Sequence, residues 1–240
     1  MKVYPYCVLS ERVTLPPIRG LEGSAILQVE IGEFVVLLSD HDFERIVASR
    51  ENVLKHDEVV RSVLGQATPL PFRFGNLTTI EQIRSYVSSR KDILSEMLAR
   101  VEGCVEMSVK IIWQHDDQDA DQLPDSGQTG LGQGAAFLKL KQAEILGAES
   151  RFVDAKALAS WFNSELNSTV LEQKVSLRPA ERLVFSGSYL VKQLKLDEYK
   201  QKVTTARDKR KDLHFLTSGP WPPYSFSNNE LEFKSHLGVS

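Results

Sequence analysis

The acidic run at residues 117–121 is the part of the sequence most suggestive of metal binding. Asp117, Asp119 and Asp121 alternate, as the first three ligands of an EF-hand calcium loop do. Such a loop also needs glycine at its sixth position and a bidentate glutamate at its twelfth, but these positions hold Gln122 and Gln128. Because the turn residue and the strongest ligand are both missing, the run is better interpreted as a solvated acidic loop.

A glycine-rich stretch follows the acidic run and invites comparison with phosphate-binding loops. The glycines are Gly127, Gly130, Gly132 and Gly134. A P-loop would end in Gly-Lys-Ser/Thr, which is absent, and a Rossmann loop would follow directly on a strand. The preceding strand-like segment ends near Trp113, too far upstream. The pattern therefore indicates a flexible linker that leads into a helix.

The histidines, cysteines and serines form no recognisable catalytic or metal-binding arrangement. The histidines are His41, His56, His115, His214 and His236. None has a partner at metal-binding helical spacing, and no Gly-x-Ser-x-Gly elbow is present. Cys7 and Cys104 lie in apolar segments outside any CxxC pair, so we expect two buried thiols, although a disulfide stays open. We predict no enzyme activity, no metal and no cofactor, while a site assembled from separated residues stays possible.

Composition excludes several classes of protein. The chain has 240 residues, of which 42% are hydrophobic and 25% charged, and its net charge is −3. These values are typical of a folded domain and lack the basic excess of a nucleic-acid binder. The cluster Lys209-Arg210-Lys211 is flanked by acidic residues and is interpreted as a solvated helix end. No segment reaches the roughly 20 apolar residues of a membrane helix, so we expect a cytoplasmic protein with neither nucleic-acid nor membrane partners.

The first half of the chain alternates strand and helix patterns. We predict a strand over residues 3–9 and a hairpin that joins residues 25–31 and 34–38 through Gly32-Glu33. The continuous apolar run 34–38 indicates a strand that is covered on both faces, or at least a central one. A helix is predicted over residues 51–64, with Val53, His56, Val59, Val60, Val63 and Leu64 on its buried face. Thr78 and Glu81 form a capping-box pattern that opens a helix to about Val101, with a polar break near Arg90-Lys91.

The second half predicts a similar mixture of elements. We expect a strand over residues 105–113, helices at about 135–148, 154–170 and 196–209, and short strands at 175–177 and 213–217. Residues 183–191 are predicted to form two strands bent at Gly187. The composition change at residues 115–134 favours a linker or inserted loop there. Together these patterns predict an α+β protein that is compatible with ferredoxin-like split βαβ units.

Two proline-containing segments are unusual without being catalytic. Residues 69–75 read Pro-Leu-Pro-Phe-Arg-Phe-Gly, which favours an extended edge segment. We expect Leu70, Phe72 and Phe74 on one side and Arg73 on the other, where Arg73 is a candidate for a buried or interface ion pair.

The second unusual segment spans residues 219–226 and carries three aromatic residues on a stiff, proline-fixed backbone. It could form a protein-docking surface, or it could pack back on its own domain and seal the core. For Trp221 we favour the second interpretation. The candidate structural or interaction residues are Pro71, Phe72, Arg73, Phe74, Trp221, Pro222, Pro223, Tyr224 and Phe226.

Four blocks of the sequence together resemble the GvpL/GvpF family of gas vesicle proteins, in a form similar to its cyanobacterial F-type members. They are His56-Asp57-Glu58-Val59-Val60, the segment 69–75, Gly103-Cys104-Val105-Glu106-Met107-Ser108-Val109-Lys110, and Tyr189-Leu190-Val191 with the closing segment 219–226. The Trp-Pro-Pro-Tyr block is the most specific, and Asn76 stands where the family commonly has threonine.

The resemblance implies two α+β domains, the C-terminal one a ferredoxin-like variant. We predict an N-terminal domain over 1–103, a C-terminal domain over 104–226 with the inserted acidic and glycine-rich loop 115–134, and a tail over 227–240. It also implies a minor structural or accessory protein of gas vesicle assembly, made in the cytoplasm and located at the vesicle. Its partners would be the shell protein and other accessory proteins. The alternative is a ligand-binding or enzymatic ferredoxin-like protein that uses the loop 115–134.

Overall fold

The computed structural model describes residues 2–42, 45–113, 151–177 and 183–227. The chain divides into two compact units. The first unit comprises Met1–Glu106, Leu190–Gln193 and Gly219–Ser240, and the second comprises Met107–Tyr189 and Leu194–Ser218. The chain therefore returns to the first unit at its C-terminal end. The division at residues 103 and 226 stays a prediction.

The first unit is built on a four-stranded antiparallel sheet. Its strands are β1 (Lys2–Leu9), β2 (Leu27–Ile31), β3 (Phe34–His41) and β4 (Leu70–Pro71), in the order β2-β3-β1-β4. The predicted hairpin is present, because Ile31 pairs with Phe34 across the two-residue turn. Gly32 in that turn has a φ of 62°, a conformation that glycine adopts without steric cost.

Both faces of this sheet are covered, as the continuous apolar pattern of β3 predicts. Phe34, Val36 and Leu38 belong to one buried cluster, while Val35 and Leu37 belong to a second. Strand β1 changes its alternation at a bulge between Pro5 and Cys7. Tyr4 before the bulge, Tyr6 within it, and Cys7 and Leu9 after it consequently join the same cluster.

Three helices flank the sheet: α1 (Arg50–Arg61), α2 (Ile80–Ser89) and α3 (Lys91–Val101). Ser49 is the N-cap of helix α1, and its side chain accepts a hydrogen bond from the Asn52 N–H. Its predicted buried face is confirmed at His56, Val59 and Val60 but is wrong at Val53, which is 45% exposed. Val53 lies at the first turn of α1, where the helix extends beyond its apolar contacts.

The predicted helix to Val101 is two helices, and its start lies one residue later than predicted. Thr79, not Thr78, is the N-cap, and it forms the capping box with Gln82. Thr78 is unavailable because its backbone exchanges two hydrogen bonds with Val3 at the sheet. Arg90 separates α2 from α3 with φ −118° and ψ 22°, outside the helical range.

The second sheet contains β5 (Cys104–Trp113), β6 (Val170–Ser176), β7 (Leu183–Lys192) and β8 (Leu213–Trp221), in the order β6-β7-β5-β8. Helix α4, described over residues 151–166, lies between β5 and β6 in sequence, and α5 (Leu196–Lys209) lies between β7 and β8. The sequence of elements is thus β-α-β-β-α-β, that of a split βαβ unit. The chain is an α+β protein; a ferredoxin-like variant stays a prediction beyond this strand order.

Several predicted boundaries in the second half are wrong. β7 is one continuous strand. Gly187 leaves room for the Tyr189 ring, since a Cβ at position 187 would lie 2.8 Å from the Cε2 atom of that ring. β6 begins at Val170, where a helix was predicted, and β8 continues past Thr217 to Trp221. The helix predicted at 135–148, the loop 115–134 and the tail beyond Ser227 lie outside the described residues. No described helix has the length and apolar character needed to cross a membrane.

Candidate interaction site

The two aromatic side chains of the segment 69–75 enter different apolar clusters of the first unit. Phe72 is fully buried beside Tyr86, with ring centroids 6.1 Å apart. Phe74 packs instead against Tyr4 and His56, at 6.3 and 6.0 Å. The prediction that Phe72 and Phe74 share a side is therefore wrong. Strand β4 contains only two residues, so the strict alternation of a strand does not extend to Phe74.

Pro71 lies in the edge strand of the sheet, and Arg73 follows two residues later. Pro71 is buried and pairs with Cys7 at β4, the outermost strand, where a missing N–H costs no ladder hydrogen bond. Arg73 is exposed, so its side chain is not buried as one of the two predicted alternatives requires, and an interface ion pair stays a prediction. The Arg73 side chain is therefore accessible to another protein.

The closing segment packs back on the first unit. Pro222, Pro223 and Phe226 are buried, and Phe226 joins the cluster that contains Phe72. Trp221 is only partly buried, and the Arg61 guanidinium lies 4.1 Å from the centre of its ring. That distance is within the range of a cation–π contact. Trp221 therefore combines a packed face with an accessible one, and whether it also contacts a partner stays a prediction.

His56 is the centre of an aromatic cluster that joins the two segments. Rings of Tyr4, Tyr6, Phe74 and Tyr224 have centroids between 5.6 and 6.3 Å from the imidazole. The Nδ1 atom of His56 is 2.8 Å from the Tyr4 hydroxyl, whereas its Nε2 has no hydrogen-bond partner among the described residues. Burial lowers the pKa of His56 to about 4, so the imidazole is neutral near pH 7.

Two hydrogen-bonded anchors hold the closing segment from the side of α3 and β5. The carboxylate of Glu106 accepts the Ser225 N–H at 2.7 Å and the Ser225 hydroxyl at 2.6 Å. Arg100 donates to the carbonyl oxygen of Phe226. Glu106 and Ser225 were absent from the predicted site residues. The sequence carries a signal for Glu106, because it is a charged residue in an otherwise apolar, strand-like run. In the structure Glu106 is only 5% exposed.

The arrangement holds the closing segment in place within the first unit. The side chains of Glu106, Arg100 and Tyr4 form hydrogen bonds with other residues of the first unit. Within the described ranges, no group of three or more His, Cys, Asp or Glu residues could hold a metal ion. Cys7 and Cys104 are free and buried, and burial raises the pKa of both thiols.

Comparisons with known proteins identify related sequences. The family model described as gas vesicle synthesis protein GvpL/GvpF matches residues 2–228. Gas vesicle protein F from Dolichospermum flosaquae is 25% identical over 227 residues, which cover 88% of this chain and 90% of the relative. Gas vesicle protein F1 from Halobacterium salinarum is 23% identical over 242 residues, which cover 98% and 97%.

Solved structures share the fold. The crystal structure of the gas vesicle protein GvpF from Anabaena sp. PCC7120 has a TM-score of 0.73 at 22% sequence identity, and covers 95% of this chain and 98% of that chain. The corresponding structure from Microcystis aeruginosa has a TM-score of 0.72 at 22% identity, with coverage of 95% and 99%.

Proposed function

The chain belongs to the GvpL/GvpF family of gas vesicle synthesis proteins, and we propose that it is a minor structural or accessory protein of gas vesicle assembly that acts by binding other proteins. Its partners are the vesicle shell protein or other gas vesicle proteins. It is present in the cytoplasm before assembly and at the vesicle afterwards, and it catalyses no reaction.

The observation that carries this proposal is the family match, which extends over residues 2–228 and so includes both compact units. The four sequence blocks that resemble the family support it. His56, Phe74 and Tyr224 come from three of these blocks and pack together, and Glu106 from a fourth holds Ser225. The four blocks therefore meet in one packed region of the first unit.

The accessible residues beside this cluster are the proposed contacts with a partner. Arg73 is exposed and follows the buried Phe72, and the partly buried ring of Trp221 lies against Arg61. Arginine and tryptophan are enriched among the residues that dominate protein–protein affinity. Pro71, Phe74, Pro222, Pro223, Tyr224 and Phe226 set the shape of the surface from beneath.

Co-purification with isolated gas vesicles tests the proposal. Tagged protein is followed through vesicle isolation, before and after a denaturant wash. Retention after the wash indicates a structural component, and loss during the wash together with capture of soluble shell subunits indicates an assembly factor. Association with neither vesicles nor vesicle proteins would overturn the proposal.

The variant Arg73→Glu tests the surface. We expect it to weaken capture about tenfold or more if Arg73 contacts the partner. The matched control is Arg84→Glu, which makes the same charge change at an exposed position of α2. Equal capture by the two variants would remove Arg73 from the surface.

A further inference from the structure

A groove in the second unit lies between helix α5 and the sheet, and nothing described above uses it. Its cavity of about 170 Å³ is lined by Lys200, Val203 and Arg207 from α5, Met107 from β5, and Phe215 and Thr217 from β8. The three α5 residues are spaced i, i+3 and i+7, which places them on one face of the helix. Phe215 and Thr217 are two residues apart and so face the same side of β8.

The groove combines an apolar floor with a positively charged rim. Met107 is buried and Val203 is 7% exposed, whereas Lys200 and Arg207 are exposed. The two cations lie seven residues apart, about 10 Å along the helix axis. The cavity has room for one apolar side chain, with an anionic group on either side of it.

These two cations differ from the other basic residues of α5 in how little they bind within the chain. Lys202 donates to the Ser168 hydroxyl at 2.7 Å, and Lys209 to the Glu165 carboxylate at 2.7 Å. Lys200 has only a pair with Asp197 at 3.9 Å, at a position where its side chain is half exposed. Arg207 forms no side-chain ion pair with any described residue. Both charges are therefore available to an external carboxylate at little cost.

The strand next to the groove is a sheet edge. Among the strands that the structure describes, β8 stands at one end of the order β6-β7-β5-β8, and Leu216 is 54% exposed. An edge strand presents a row of backbone N–H and C=O groups that another extended chain can pair with. Such strand addition gives affinity through the main chain and specificity through side chains that enter adjacent pockets.

We infer that this groove and the β8 edge bind an extended segment of another protein in which acidic residues stand two positions before and two positions after an apolar residue, so that all three side chains point to the α5 side of the sheet. The segment adds beside β8. One of its apolar side chains fills the cavity over Met107 and Phe215, and its carboxylates pair with Lys200 and Arg207. The occupant follows from charge complementarity, because a basic segment would meet two uncompensated cations. The inference goes beyond the proposed function and does not depend on a gas vesicle role.

The direct test uses the purified full-length chain and synthetic, fluorescein-labelled peptides of about ten residues. One peptide carries glutamate, leucine and glutamate at every second position, with threonine between them, and its counterpart carries lysine in place of both glutamates. Fluorescence anisotropy should show saturable binding of the acidic peptide, at least tenfold tighter than the basic one, and weaker at higher salt. Equal affinity for both peptides, or binding of neither, would overturn the inference.

Variants of the chain locate the site. Arg207→Glu and Lys200→Glu should each weaken binding of the acidic peptide about fivefold or more, without altering the melting temperature, since both side chains are exposed. Lys110→Glu is the control, because Lys110 is exposed on β5 with the parity opposite to that of Met107. Equal losses of affinity in the control and in the groove variants would show that the effect depends only on the net charge of the protein, and would reject the site.

A modified peptide tests the strand addition. N-methylation of alternate backbone nitrogens of the acidic peptide removes hydrogen-bond donors along one edge while it keeps every side chain. Methylation of the edge that faces β8 should abolish binding, and methylation of the other edge should leave it intact. If neither methylated peptide binds more weakly, pairing with β8 is rejected.

Discussion

Both oxygens of the Glu106 carboxylate accept hydrogen bonds from a single residue, Ser225, which lies 119 positions further along the chain. One bond comes from the backbone N–H and the other from the hydroxyl, so the carboxylate fixes the backbone and the side-chain rotamer of Ser225 together. Because Glu106 is 5% exposed, water does not compete strongly for these donors.

Replacing Glu106 with glutamine tests this anchor. The amide keeps the shape of the carboxylate but offers one acceptor and one donor group, so one of the two Ser225 donors is left unsatisfied. We expect a loss of about 1.5–3 kcal/mol in the free energy of unfolding, measured by urea denaturation. Ser225→Ala, which removes only the hydroxyl bond, should cost about 1 kcal/mol. A glutamine variant as stable as the parent would contradict the anchoring role.

Lowering the pH should destabilise the first unit through His56. Its pKa is about 4 in the folded chain, below the ordinary 6.5, so the unfolded chain binds the proton first as the pH falls. The free energy of unfolding should therefore decrease between about pH 6.5 and pH 4, by up to about 3 kcal/mol.

Substitution of His56 isolates this contribution from that of other groups, including His41, whose pKa burial also lowers. His56→Phe should show a flatter dependence of unfolding free energy on pH over the same interval. Denaturant titrations at several pH values measure both slopes. Identical slopes in parent and variant would exclude His56 as the source.

Two aromatic residues of the closing segment should differ in their contributions to stability. Phe226 is fully buried, so Phe226→Ala should cost about 3–5 kcal/mol. Trp221 is only partly buried beside Arg61, so Trp221→Ala should cost less, about 1–2 kcal/mol, from lost apolar area and the cation–π contact. Thermal unfolding compares the two variants. A larger loss for Trp221→Ala would mean that the ring is more enclosed than this packing indicates.

A pair of tyrosines in the second unit provides an internally controlled prediction. The Tyr199 hydroxyl is buried and has no hydrogen-bond partner in the described part of the chain, whereas the Tyr189 hydroxyl donates to Asn163 Oδ1 at 3.0 Å. Tyr199→Phe should leave the melting temperature unchanged or raise it, because it removes an unsatisfied polar group. Tyr189→Phe should lower it. The opposite order would show that the Tyr199 hydroxyl has a partner in solution.

Part of the candidate site could be read from the sequence. The prolines at 69 and 71 excluded a helix, and the density of prolines and aromatics in residues 219–226 marked that segment as special. Whether Trp221 packs or docks stayed open, because its exposure depends on Arg61, which is 160 positions away and carries no local signal. Glu106 and Ser225 are 119 positions apart, so no local pattern predicts the hydrogen bonds between them either.

The sequence by itself determined the α+β class, the hairpin at Gly32 and the burial of β3 on both faces. These features depend on hydrophobic periodicity and turn chemistry, which act between near neighbours in the chain.

The tertiary structure decided which residue caps α2. The backbone of Thr78 forms two hydrogen bonds with Val3, and Thr79 is the N-cap instead. It also sent Phe72 and Phe74 into different clusters, since the two-residue strand β4 ends at Pro71, before both of them, and strand alternation does not hold beyond it. The physical reason is common to both: burial and hydrogen-bond pairing are settled by elements distant in sequence, whose positions no local pattern encodes.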